Sequence, residues 1–125
     1  GFIGSPKMNF MEAGPGPDGT VQVKGGPALK VPGVDPARMT GRMTVGIRPE
    51  HICYAHDAGD LTGKILVEEQ LGSDAFLYVE VEGIGMVTVR AVGERNFHSH
   101  QTVHLRLPPE TCHVFDESDL RINEN

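Results

Sequence analysis

An all-β fold, a small closed or nearly closed barrel with short helical turns, is what this sequence predicts, and three observations predict it. Short runs of alternating apolar and polar residues recur along the 125 residues, the period of strands with one buried face. The 16 glycines and 9 prolines are scattered between those runs, which suits a turn-rich β protein and leaves little room for long helices. Hydrophobic residues make up 38% of the chain, enough for one core in a chain this size. Closing the sheet removes the exposed edges that many short strands would otherwise present.

At the start of the chain, Phe2-Ile3 and then Gly4-Ser5-Pro6 read as the final turn of something longer, because glycine and proline stop helix propagation. The natural domain is therefore expected to begin upstream. Met8 to Met11 and Thr20 to Lys24 are strand-like, with Val21 and Val23 on one face, and Gly14-Pro15-Gly16-Pro17-Asp18-Gly19 joins them as a hairpin. Asp35-Pro36-Ala37-Arg38 places a capping carboxylate before a proline at the first helical position, one short turn bracketed by Gly33 and Gly41. Met43, Val45 and Ile47 alternate with Thr44, Gly46 and Arg48 in a half-buried strand. Pro49 removes a ladder donor and ends it.

The strongest β signal is a meander of Thr62 to Glu69, Ala75 to Glu82 and Gly85 to Val92, turning at Gly72-Ser73-Asp74 and Gly83-Ile84. Val103, Leu105 and Leu107 alternate with His104 and Arg106 in a further strand, and His113-Val114-Phe115 closes the sheet.

Composition excludes several function classes. Lys+Arg 11 against Asp+Glu 17 gives a net charge of -6, whereas a nucleic-acid partner calls for a basic stripe along the phosphate backbone. Aromatic residues at 6% are also few for stacking platforms. Cys53 and Cys112 have no CxxC spacing, so neither a disulfide framework nor a thiolate zinc site is indicated, and a reducing cytoplasm fits. No apolar run approaches the ~20 residues that cross a bilayer, and the start has no signal-peptide pattern. Work at a membrane would go through a partner.

Catalytic chemistry has no clear carrier. A phosphate loop needs glycines, a lysine and a hydroxyl together ahead of a helix; Gly83-Ile84-Gly85 lies between two strands and reads as a hairpin turn. His98, His100 and His104 share parity, yet Asn96-Phe97 and Ser99 indicate a loop and solvated histidines rather than a zinc site. Glu80 and Glu82 alternate with Val79 and Val81, so they mark a wet strand face, and Glu68-Glu69 read as no catalytic pair. Ser5, Ser73, Ser99 and Ser118 have no nucleophile-and-base context. The expected catalytic, metal and cofactor sets are empty.

The octad Val45-Gly46-Ile47-Arg48-Pro49-Glu50-His51-Ile52 is the most informative stretch. The residue before a proline is held extended, so Arg48 leaves the strand in a fixed direction while Glu50 and His51 come next round the turn. Two readings stay open. Arg48, Pro49, Glu50 and His51 form a local polar cluster that shapes the turn and satisfies loop carbonyls, or they face another domain or subunit, where a guanidinium fork gives oriented hydrogen bonds.

With the opening Gly1-Phe2-Ile3-Gly4-Ser5-Pro6-Lys7-Met8-Asn9-Phe10, the octad resembles the regulatory segment that follows the ATPase domain in ATP-binding subunits of ABC importers of the maltose-importer type, which carry sugars or glycerol phosphate. Val67 to Asp74, Leu77 to Val81, Val103-His104-Leu105 and His113 to Asp116 are similar to later strands of that family. The resemblance implies an OB-like (TOBE/MOP-like) β-barrel over 1–125, a single regulatory domain truncated at its N-terminus, with the ATPase domain absent. It implies a dimerisation and regulatory role for Arg48, Pro49, Glu50 and His51. The implied partners are a second copy of the ATPase subunit, the transporter's membrane subunits through the parent protein, and a regulatory protein. ATP and Mg belong to the parent's missing domain, and the complex would sit on the inner face of the cell membrane, peripheral and cytoplasmic. Two departures stand out. Lys7 replaces a small residue or proline, and Glu117-Ser118-Asp119-Leu120 lacks the family's glycine turn before the arginine matched by Arg121, so the final turn is not expected to form. The alternative function is an oxyanion- or sugar-sensing barrel, which for an anion needs Arg42, Arg48, Arg90 or Arg95 to converge.

Overall fold

The structure is a computed structural model that describes residues 7–55, 57–93 and 97–124. The expectations placed on Phe2 to Pro6, Arg95 and Asn96 lie outside the described residues. Ten strands form two antiparallel five-stranded sheets. β1 (Asn9–Pro15), β2 (Val21–Val23), β3 (Ala28–Leu29), β4 (Met43–Ile47) and β10 (His113–Phe115) make the first, in the order β10-β4-β1-β2-β3. β5 (Cys53–Ala55), β6 (Leu61–Leu71), β7 (Asp74–Val81), β8 (Gly85–Val92) and β9 (Thr102–Arg106) make the second, in the order β5-β9-β6-β7-β8. Helical structure among the described residues is limited to single 3-10 turns, so the all-β, barrel-like expectation holds.

The first hairpin forms with Ala13 opposite Val23, and β1 runs on to Pro15, further than alternation alone suggested. Asp35 caps its short turn as expected, accepting from Ala37 N at 3.0 Å. The short β3 and β5 escaped the sequence reading, because two or three residues carry too little periodicity to register. The β2–β3 turn approaches the β7–β8 turn closely: a Cβ on Gly25 would come within 2.8 Å of the Gly83 carbonyl oxygen, so glycine is required there for space as well as for its φ of +79°.

Two features depart from simple alternation. Ile65 pairs with Val79 and Val67 with Tyr78, so Leu66 is an extra residue in β6. This bulge turns the rest of the strand over: Leu61 and Ile65 are buried, whereas Val67 and Leu71 beyond it are 55% and 49% exposed. The second departure is β10, which pairs with β4, Val114 opposite Val45, and so completes the first sheet rather than extending the meander.

One apolar core lies between the sheets. Val21, Val23, Met43, Val45 and Ile47 from the first sheet meet Ile65, Leu77, Val79, Val87, Val89 and Leu105 from the second, all essentially inaccessible. At about 1.5–3 kcal/mol for each fully buried aliphatic side chain, against at most about 1 kcal/mol for an exposed ion pair, the core and not the surface charge holds the fold.

Asn9 joins the sheets at an edge. Its side-chain amide donates to the carbonyls of Ile47 at 3.2 Å and Thr88 at 2.9 Å, and its oxygen accepts from Thr88 N at 2.9 Å. One side chain thus does for edge strand β8 what a neighbouring strand would do.

The final turn does form, correcting the expectation from the missing glycine. Asp119 adopts φ +63°, a left-handed conformation that aspartate tolerates better than most residues. The Asp116 carboxylate accepts from Ser118 N and Leu120 N, each at 2.9 Å. Arg121 then bridges back to Phe115.

Candidate functional site

The octad is the crossing point between the sheets. Its strand ends at Ile47, Arg48 stays extended at φ -77° and ψ 148°, and Pro49–His51 makes one 3-10 turn before β5 starts in the other sheet. His51 N donates to the Arg48 carbonyl at 3.0 Å to close the turn. Proline supplies the fixed φ, and its missing donor costs nothing at the start of a helical turn.

Burial divides these residues. Pro49 and Ile52 are buried, and the turn packs against β8; Arg48, Glu50 and His51 are exposed. Among the described residues, neither the Arg48 nor the Glu50 side chain is hydrogen-bonded or ion-paired. Among the described residues, Pro49 and the backbone shape the turn, and the Arg48 and Glu50 side chains bond no loop carbonyl.

The strand register adds residues that the sequence did not connect with the octad. Gly46 lies between Phe10 on β1 and His113 on β10. With no side chain at Gly46, the Met8 thioether fills the space a Cβ would need. Phe10, 62% exposed, meets Phe115 edge-on with ring centroids 6.1 Å apart, and these rings with Thr44 and Asp119 line a shallow cleft of about 340 Å³. His113 is pushed below the usual histidine value, first by burial and then by the positive charges of Arg121, Arg48 and His51.

Asn123, 4% exposed, holds the C-terminal segment beside β10. Its side-chain oxygen accepts from Val114 N at 2.8 Å and Arg121 Nε at 3.2 Å, and its amide donates to the Cys112 carbonyl at 2.9 Å. No local pattern could have linked His113, Arg121 and Asn123 to the octad, since they lie more than sixty residues away along the chain and only the β4–β10 pairing brings them together.

The other sequence candidates fall apart spatially. His98 and His100 are exposed on a turn, and His104 Nδ1 lies 2.9 Å from Thr62 Oγ1. Among the described residues no group of three His, Cys, Asp or Glu side chains could hold a metal ion. Glu80 and Glu82 are exposed; Glu69 accepts from the Tyr78 hydroxyl at 3.1 Å, part of what, after burial, raises that phenol above its usual value. Ser99 Oγ lies 3.0 Å from His100 Nδ1 on the exposed turn. Arg90 is bound to Asp74, with its Nε at 2.9 Å, and Arg42 shares a shallow cleft with Asp116, Glu117 and Asp119. Arg42 and Arg90 are thus each set among carboxylates of their own instead of converging with Arg48. Cys112 is buried and pushed up to about 11, chiefly by burial and then by Asp60 and Glu110, an unreactive thiol at neutral pH.

The chain is similar to known proteins. The TOBE-domain family model matches residues 45–115 and the MalK OB fold domain model matches residues 4–52, so the two overlap on the octad. The chain is 36% identical over 123 residues to the maltose/maltodextrin import ATP-binding protein MalK of Vibrio cholerae, covering 92% of this chain and 33% of the relative. It is 37% identical over 123 residues to the sn-glycerol-3-phosphate import ATP-binding protein UgpC of Yersinia pestis, covering 97% of this chain and 34% of the relative. The UgpC of Chromohalobacter salexigens is 34% identical over 126 residues, with 97% and 33% covered. The chain thus spans about a third of the length of these curated relatives. In fold it is similar to the cytoplasmic molybdate-binding protein ModG solved with molybdate bound, with TM-score 0.59 and 11% identity over 85% of this chain and 94% of that one.

Proposed function

The chain belongs to the TOBE-domain family, and from that premise we propose that it is the regulatory and dimerisation module of the ATP-binding subunit of an ABC importer for carbohydrate or glycerol phosphate. In this reading the module adjusts ATP-driven transport without catalysing anything itself. ATP and Mg are held by a separate ATPase domain of the parent protein. A phosphate loop, which leads from a strand into a helix, is expected in that domain.

What carries this reading is the division of the octad. Pro49 and Ile52 anchor the crossover in the fold, while Arg48, Glu50 and His51 stand in solvent at the point where the two family models overlap. An exposed guanidinium and carboxylate on a rigid turn can form oriented charge-assisted bonds with an incoming surface. A partner that engages one arrangement of two such modules more tightly biases the attached ATPase domains toward it, and a coupling of ~1–3 kcal/mol changes activity several-fold or more. The partners are a second copy of the subunit, the membrane subunits reached through the parent protein, and a regulatory protein. The working location is then the cytoplasmic face of the membrane; among the described residues no helix is long and apolar enough to cross one.

The test is Arg48→Ala with Glu50→Ala in the full-length subunit. Weakened dimerisation or altered regulation, with the isolated module still folded, is the expected result. Unchanged transport, association and regulation would remove the interface role. Sequencing the natural coding region upstream of Gly1 should reveal a phosphate loop and an ABC signature.

A further inference from the structure

We propose that Val67, Leu71, Phe76 and Val92, on the outer face of the second sheet beside the β6–β7 turn, form a docking surface for another protein that presents an apolar contact ringed by lysine or arginine. The bulge makes this surface. Before it, the outer residues of β6 are the exposed Thr62 and Lys64; beyond Leu66 the pairing resumes with Val67 opposite Tyr78, Glu69 opposite Phe76 and Leu71 opposite Asp74. On the other side of β7, Phe76 stands opposite Arg90 and Asp74 opposite Val92. Phe76 lies between the buried Ala75 and Leu77 and so takes the outer face, where Val67, Leu71 and Val92 are its diagonal neighbours. Those three are 55%, 49% and 70% exposed, whereas Phe76 among them is 8% exposed.

Strand residues that face water are ordinarily polar, as Thr62, Lys64 and Glu80 are on this same face. Three exposed aliphatic side chains around a nearly covered ring depart from that rule, and an apolar centre inside a polar rim is the anatomy of a protein contact. The rim is held in place before any partner arrives: Arg90 Nε donates to Asp74 at 2.9 Å, and the Tyr78 hydroxyl donates to Glu69 at 3.1 Å. Its charge selects the partner. Asp74 and Arg90 compensate each other, whereas Glu69, opposite Phe76, has no cation within ion-pair distance among the described residues. A cationic surround complements that carboxylate, while a second copy of a chain with net charge -6, a nucleic acid or an anionic membrane would bring like charge to it. The surface shares no residue with the octad and needs no premise about an importer.

The probe is a short amphipathic peptide of leucine and lysine, compared with its leucine and glutamate counterpart at constant ionic strength. In NMR spectra of the chain, the lysine peptide should shift the Val67, Leu71 and Val92 methyl signals and the Phe76 ring signals saturably, and the glutamate peptide should not. Leu71→Ser with Val92→Ser, both at exposed positions, should weaken binding by about tenfold or more. Glu69→Lys should weaken it as well, whereas Phe10→Ser, at an exposed ring of the first sheet, should not. Sedimentation of the chain alone should show no self-association that depends on Leu71 and Val92. The proposal is overturned if the lysine peptide gives no saturable shifts at this face, if the glutamate peptide binds equally well, or if the paired substitution binds as tightly as the parent while its other signals remain unchanged. It is also overturned if the paired substitution abolishes a dimer of the chain, which would assign the face to a second copy.

Discussion

Asp119 shows how a single residue decides whether a terminal segment is placed. It occupies a left-handed conformation with φ +63°, in a turn whose amides Asp116 caps twice, and the strip carrying Arg121 and Asn123 leads directly out of that turn. Glycine is the usual solution at such a position, and its absence suggested an open end. The short polar side chain was the signal that the turn could close anyway. A β-branched residue cannot adopt this backbone conformation cheaply, so Asp119→Val is expected to lower stability by about 1–2 kcal/mol, read from urea unfolding. Hydrogen exchange at Val114, whose amide is bound to Asn123, should accelerate with it. An unchanged midpoint would mean that the turn is not under this constraint.

Among the elements, β8 depends on a device outside its own sheet. It is the edge of the second sheet, and the Asn9 side chain pairs with both the amide and the carbonyl of Thr88. Asn9→Ala leaves those groups and the Ile47 carbonyl without that partner, a loss of about 1–3 kcal/mol. It should appear as reduced thermal stability together with faster exchange at the Thr88 amide; protection at Thr88 equal to the parent's would show that the clip is dispensable. The strand itself was legible, since Gly85 to Val92 alternates cleanly and the observed bounds coincide with that stretch. The clip was not, because Asn9 and Thr88 lie seventy-nine residues apart. The bulge at Leu66 was hidden for a related reason: an extra residue in one strand is visible only against its partner's register.

For the whole molecule, the burial of His113, together with the positive charges near it, links stability to pH. Burial, Arg121, Arg48 and His51 hold His113 below its usual value of 6.5 in the folded chain, so as pH falls the unfolded chain takes up the proton first. The stability associated with neutral His113 is intact above the unfolded value and is lost as pH drops through the lower folded value. His113→Gln should therefore flatten the fall in urea midpoint between neutral pH and about pH 5; a slope identical to the parent's would show that other groups carry the acid sensitivity. The sequence by itself determined that the chain is all-β, where most strands run and which faces are wet, that Pro49 turns the chain, and which family the octad marks. These are products of local chemistry: side-chain period, fixed proline dihedrals and turn residues act within a few positions of themselves. Only the tertiary structure decided that β10 joins β4, that Asn9 clips the second sheet to the first, and that His113 stands opposite Gly46 of the octad. Those arrangements depend on which buried faces pack together and in what register, and packing acts between residues that the chain itself keeps far apart.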